Sequence, residues 1–279
     1  MEKENKKSKK IKRVISGLVG FPVVAVLFVF ANNFIMDLFL AIVSIISVYE
    51  YAKCFKTGEK AHPSKWYMYI ISILIVMTSF ISDIALREIM IAVLPISFFI
   101  LMIELILSKD KKNFMDVATT LIGIMYIPMM LVFLSFIRGR FVNGKILMWY
   151  IFIAAWGSDI FAYIIGSRFG KHKFTKVSPN KSIEGCIAGI VGATLIAIVY
   201  TVTMNGILNL GLRVGCAAVI TLILSLIGQV GDLAASSIKR YCGVKDFSEL
   251  IPGHGGMLDR IDSVIFILPF AYILLGLLI

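Results

Sequence analysis

The stretch Lys239–Asp262, KRYCGVKDFSELIPGHGGMLDRID, sets four carboxylates (Asp246, Glu249, Asp259, Asp262) among four cations (Lys239, Arg240, Lys245, Arg260). Asp259 and Asp262 are three apart where a helix would begin, so they share a face. Hard oxygen donors of this kind hold Mg²⁺. In PGHGG (252–256) the glycines, Gly255 and Gly256 among them, can bring backbone N–H groups close to phosphate oxygens, because glycine accepts conformations that other residues resist. Carboxylates holding a divalent ion beside a phosphate-binding loop make a nucleotide site. A salt-bridged surface loop is the alternative that spacing alone leaves open. No GxxxxGK[ST] sequence is present, so this is not a P-loop.

A second polar stretch, SRFGKHKFTKVSPNKSIEGC (167–186), carries Arg168, Lys171, Lys173, Lys176 and Lys181 against one acid, Glu184. Anionic lipid would attract most of these cations. Within SPNKSIEG, Pro179 suits a turn and Ser182 can cap the following helix, with Glu184 in its first turn. A lysine beside a helix N-terminus, here Lys181, is a plausible anion clamp.

Both loops adjoin apolar segments that contain ionisable residues, which are costly in a membrane and mark functional sites. Ser225, Gln229, Asp232, Ser236 and Lys239 follow a 4-3-4-3 spacing and form one polar stripe on a helix. A ligand-lined cavity is expected along it, with a hydrogen-bonded helix seam as the alternative. Trp156, Asp159, Tyr163 and Gly166 follow 3-4-3 spacing on another helix. Gly185, Gly189 and Gly192 share a face suited to close helix packing.

The elements that must position these residues are membrane helices. Of the 279 residues, 59% are hydrophobic and only 16% charged, and the apolar residues come in long runs. Nine spans are expected, at about 14–31, 34–51, 66–82, 89–107, 117–137, 146–166, 185–204, 213–238 and 261–279. The fold class is thus all-α, a polytopic helical bundle. With the N-terminus inside, 23 Lys and Arg fall on the cytoplasmic side and five outside. The net charge of +11 therefore reads as topology, and no nucleic-acid partner is expected. The expected division is a basic tail (1–13), N-terminal helices (14–145) and a catalytic region (146–279) with cytoplasmic loops 167–184 and 239–260. The stretch after the basic tail lacks a convincing cleavage site, so a retained first helix is expected. Four cysteines without a CxxC pair, and three scattered histidines, indicate neither a disulfide framework nor a zinc site.

The 27 residues from Ser236 to Asp262 resemble the signature of the phosphatidate cytidylyltransferase (CDP-diacylglycerol synthase) family. That signature runs S-x-apolar-K-R, four residues, K-D, and then P-x-H-G-G-x-x-D-R-x-D, and every fixed position is filled. Asp159 with Tyr163, the SPNKSIEG loop and Gly231-Asp232-Leu233 also fit. Asn180 departs from the family's S-P-K-K-[ST]-x-E-G, although Lys181, Ser182 and Glu184 remain.

The resemblance implies that CTP and phosphatidate give CDP-diacylglycerol and pyrophosphate. It assigns catalytic work to Asp232, Lys239, Arg240, Asp246, His254, Asp259 and Arg260. Substrate binding falls to Ser178, Lys181, Ser182, Glu184, Lys245, Gly255, Gly256, Asp159 and Tyr163. Mg²⁺ is expected on Asp232, Asp259 and Asp262, with a second, monovalent cation left open. His254 either donates a proton to pyrophosphate or braces the glycine turn. A homodimer in the cell membrane is implied, with the active site on the cytoplasmic face. An ion- or proton-coupled transporter, and a cytidylyltransferase for a different lipid phosphate, remain as alternatives.

Overall fold

The computed structural model describes residues 22, 24–81, 83–175, 177–179, 181–251 and 255–278. Most of these residues are helical, with no strand among them beyond two isolated bridges. Residues 24–30 are helical and lead, through a break at 31–32, into α1 (Asn33–Thr57). The rest of the expected 14–31 span, and the basic tail, lie outside the described residues. After α1 come α2 (Lys65–Ile73), α3 (Asp83–Leu107), α4 (Phe114–Arg140), α5 (Gly144–Phe169), α6 (Ile183–Leu208), α7 (Val214–Tyr241) and α8 (Leu258–Leu275).

Among the described residues, six helices are long and apolar enough to cross a membrane: α1, α3 from Glu88, and α4 to α7. The expected 66–82 span is instead α2 followed by a 3₁₀ segment, Leu74–Ser79. The last span begins earlier than expected, at Leu258, and takes Asp259, Arg260 and Asp262 into its first turns. The bundle is a multi-pass membrane fold in which each span satisfies its backbone internally.

Local sequence explains the helix ends and irregularities. The Asn32 side chain accepts from Ile35 N (2.8 Å) and starts α1. Asn113 and Asp116 form a reciprocal capping box at α4. Pro128 has no N–H to offer the carbonyl four residues back, and α4 widens into a π turn at Met125–Met129. A second π turn, Ile153–Gly157, takes in Trp156 and ends two residues before Asp159. It breaks the register in which Trp156 and Asp159 would share a face.

The chain divides into two compact units, Met1–Ser135 with Lys239–Ile261, and Phe136–Ile238 with Asp262–Ile279. The signature loop thus belongs to the unit of the N-terminal helices. In that first unit Tyr51, Met68, Ile124 and Ile127 are fully buried. Tyr51 Oη donates to Thr119 O (3.0 Å), and Ser44 and Ser72 bond across α1 and α2 (2.8 Å). In the second unit α5 and α6 meet through small residues, as expected. A Cβ on Gly189 would lie 2.6 Å from the Ser158 carbonyl oxygen, and one on Gly185 would lie 2.8 Å from that of Ala162. With no hydrophobic drive between helices in lipid, such close backbone approach is what holds them together.

Candidate active site

In the first unit the signature loop is built around two buried acids. Asp259 Oδ1 accepts from Lys239 Nζ (2.7 Å), and Oδ2 accepts from the backbone N–H groups of Phe247 and Gly256 (both 2.9 Å). One carboxylate at the start of α8 therefore ties the end of α7 to both sides of the loop. The second acid is Glu50 of α1, fully buried. It accepts from Ser248 Oγ (2.5 Å), Met257 N (2.9 Å) and Leu258 N (2.8 Å). Its charge sits where the N–H groups of α8 have no helical partner.

These acids explain the paired glycines. Gly255 has φ +83°, closing a turn in which its carbonyl accepts from Ile251 N (2.8 Å). A Cβ on Gly256 would lie 2.5 Å from Glu50 Oε2. The expectation that this turn offers its N–H groups to phosphate is not met at Gly256, whose N–H goes to Asp259. The protein's own carboxylates already occupy that part of the loop. His254 lies outside the described residues.

The end of α7 is equally determined. Gly243 (φ +70°) donates to Arg240 O (3.0 Å) and Val244 N donates to Lys239 O (3.0 Å), the paired bonds of a Schellman cap. Arg240 Nη1 also donates to Val244 O (2.9 Å). Arg240, Lys245, Asp246 and Arg260 are exposed. The loop also docks tightly on the end of α1, where a Cβ on Gly58 would lie 2.5 Å from Cys242 O. Cys54, Cys186 and Cys242 are buried and all four cysteines are free, consistent with small apolar fillers. Burial pushes the Cys242 thiol above its ordinary pKa.

In the second unit the 170–182 loop folds back on the start of α6. Phe174 N donates to Lys181 O and Ile183 N to His172 O (both 3.0 Å). Ser182 caps α6 by accepting from Gly185 N (3.2 Å). Glu184 accepts from Lys171 N (3.1 Å) and bonds His172 Nδ1 (2.6 Å), so its carboxylate braces the loop itself. Ser178 is half-buried, and its carbonyl accepts from Lys181 N (3.1 Å). Lys176 and Asn180 lie outside the described residues. Lys181 forms an ion pair with Asp232 Oδ2, both groups about a quarter exposed. Burial alone would lower the Lys181 pKa, but Asp232 opposite it, helped by Asp159, holds it above the ordinary lysine value.

The stripe on α7 divides in two. Ser225 Oγ donates to Ala154 O (3.3 Å) and Gln229 Nε2 to Cys186 O (2.9 Å). That upper part is a helix seam rather than the expected cavity lining, because a polar group buried in a bundle must find a partner. Only the end bearing Asp232 meets a charged residue of the polar loops. Asp159 and Tyr163 are exposed on α5, Tyr163 by 77%. Asp262 is buried and accepts from Ser263 N (2.8 Å). Among the described residues no three His, Cys, Asp or Glu side chains converge as a ready metal cluster. Sequence reasoning missed Glu50. Its only signal is an acid inside a long apolar run, which sequence alone does not connect to a loop some 200 residues away.

The chain matches the profile of the cytidylyltransferase family over residues 11–278. It is 41% identical over 178 residues to a phosphatidate cytidylyltransferase of Staphylococcus haemolyticus, and 42% identical over 180 residues to one of Staphylococcus aureus. A Staphylococcus saprophyticus protein of the same name is 40% identical over 178 residues. Each alignment covers 63% of this chain and 66% of the relative, so the chain spans just under two thirds of the relatives' length. With the profile covering nearly every residue, both polar clusters included, the chain belongs to the cytidylyltransferase family.

Proposed function

We propose that the protein transfers CMP from CTP to phosphatidate at the membrane surface, releasing pyrophosphate and leaving CDP-diacylglycerol in the bilayer. The observation that carries this reading is the family match over residues 11–278, which takes in the complete Ser236–Asp262 signature and the Lys181–Asp232 pair. The relatives' name, phosphatidate cytidylyltransferase, supports the choice of lipid.

A phosphate oxygen of phosphatidate attacks the α-phosphorus of CTP in line. The bond from that phosphorus to the oxygen bridging to the β-phosphate breaks, and its electrons leave with pyrophosphate. The nucleophile is already anionic, so the reaction needs no strong base; its demand is for positive charge around phosphates. Lys181, Arg240, Lys245 and Arg260 supply it from the two loops, and Ser178 and Ser182 help position phosphate oxygens. Lys181 stays protonated throughout the physiological range, because Asp232 and Asp159 favour its charged form. Lys239 and Asp259 hold the loop that carries Lys245 and Asp246.

The donor chemistry suits Mg²⁺. Asp232 is partly exposed, and among the described residues its Oδ1 makes no hydrogen bond. Asp259 has both oxygens committed and would join a metal only by giving up Lys239. Asp262 completes the expected set. When bound, Mg²⁺ neutralises the nucleotide phosphates and the departing pyrophosphate. The same reading places the protein in the cell membrane as a homodimer, with the loops on the cytoplasmic face that the 23-to-5 lysine and arginine asymmetry selects.

The test is purified full-length protein in mixed micelles with α-labelled CTP, phosphatidate and Mg²⁺. Label should enter the lipid, depend on phosphatidate, and vanish on chelation. Absence of lipid-linked CMP from a well-folded sample, or CTP-independent ion flux in liposomes, would overturn the assignment.

A further inference from the structure

The first unit carries a cleft of about 740 Å³ that no signature residue lines. That volume is typical of small-ligand sites. Lys53 and Lys56 enter it from the end of α1 and Lys65 from the start of α2. All three are exposed, and among the described residues no carboxylate pairs with any of them. The fourth lysine, Lys112, is already satisfied: it donates to Ser64 Oγ (2.5 Å) and pairs with Glu104, which also accepts from Ser64 Oγ (3.0 Å). Three uncompensated cations facing one cleft call for an anion.

The cleft is pre-formed. His62 N donates to Asp116 Oδ1 (2.6 Å), Ser64 N to Thr120 Oγ1 (2.9 Å) and Tyr67 Oη to Ser97 Oγ (3.2 Å), so three helices fix its walls. Its rim is aromatic, with Lys65 lying 5.5 Å from the Trp66 ring centroid and Lys53 lying 5.9 Å from that of Tyr49. Trp66 is 72% exposed. From it an exposed apolar stripe, Trp66, Ile70 and Ile73, runs down α2 at helical spacing. Amphipathic aromatics beside lysines, above an apolar stripe, are the composition of a membrane–water boundary.

We propose that this cleft binds the phosphate head group of an anionic phospholipid, whose acyl chains lie along the Trp66–Ile70–Ile73 stripe. The phosphate alone could equally come from a soluble anion, but the stripe gives a reason for chains to follow the head group. The site shares no residue with the reaction described above and does not depend on it.

The experiment titrates the full-length protein in neutral detergent with phosphatidylglycerol, counting bound lipids by native mass spectrometry. Phosphatidylcholine, inorganic phosphate and CTP serve as separate arms. Wild type should retain one phosphatidylglycerol in preference to phosphatidylcholine, and neither phosphate nor CTP should displace it. Lys53→Gln/Lys56→Gln/Lys65→Gln should weaken that binding roughly a hundred-fold, about a factor of five per lysine. The matching Lys→Arg triple variant should bind as wild type, separating charge from misfolding. Unchanged binding in the Gln variant, equal retention of phosphatidylcholine, or displacement by phosphate or CTP would each overturn the proposal.

Discussion

The side chains of Lys239 and Asp259 are 9% and 2% exposed, whereas those of Lys181 and Asp232 are 22% and 26% exposed. Both are lysine–aspartate pairs at the edge of a polar loop, and both were expected to serve the reaction. The first is closed, with Asp259 also accepting two backbone N–H groups and Lys239 packed 5.2 Å from the Phe247 ring centroid. The second leaves Asp232 Oδ1 without a hydrogen bond among the described residues. One lysine–aspartate pair thus builds its loop, whereas the other keeps a carboxylate oxygen open. Burial, not residue type, separates them, because desolvation makes a buried charge dependent on its partner.

The largest test of this contrast is Lys239→Met. Leaving Asp259 buried without its cation should cost about 3–5 kcal/mol of stability, read as a marked fall in melting temperature in detergent. A change within about 0.5 kcal/mol would show that the pair is not the structural one. Asp232→Asn should do the reverse. Its fold should be nearly unchanged, since a quarter-exposed pair contributes about 1 kcal/mol or less. CMP transfer should fall by about 10²–10³ in kcat, with melting temperature as the control.

Glu50 sharpens the comparison from the far side of the sequence. Glu50→Ala should destabilise by about 1–3 kcal/mol, because Met257 N and Leu258 N lose a buried acceptor. Gly256→Ala should be of similar size, through the clash with the Glu50 carboxylate. Adding Glu50→Ala to Gly256→Ala should cost less than the sum of the two, since the second change removes the obstacle.

The smallest effect is the pH dependence of the open pair. The pKa of Lys181 is raised on folding, so the stability it brings is complete below the ordinary lysine value of about 10.4 and fades only as pH rises through the higher folded value. The melting difference between wild type and Lys181→Met should therefore stay flat through neutral pH and shrink in strong alkali. A decline at neutral pH would mean that Lys181 is not held by Asp232.

Much of this was legible in the sequence. Hydropathy located α1 and α3 to α7 because a membrane span must be long and apolar. Ser182 was identifiable as a cap, and Gly185, Gly189 and Gly192 as a packing face, since each rests on local spacing. The third span was expected as one helix and is a short helix that tightens into a 3₁₀ segment, a change that composition does not reveal. The α7 stripe was expected to line a cavity along its length. Hydrogen bonds from Ser225 and Gln229 to carbonyls of α5 and α6 made its upper part a seam, and no periodicity encodes which partner lies opposite.

By itself, the sequence determined the membrane class, most of the long helices and the places where charge gathers, because those follow from composition and from neighbours within a few positions. Only the tertiary structure decided which acids are spent on architecture. Glu50 meets Met257 across 207 positions, and Asp259 closes on Lys239 across 20. Contacts at such separations depend on how helices pack, and that packing fixes which carboxylates are desolvated and committed and which stay open to a ligand.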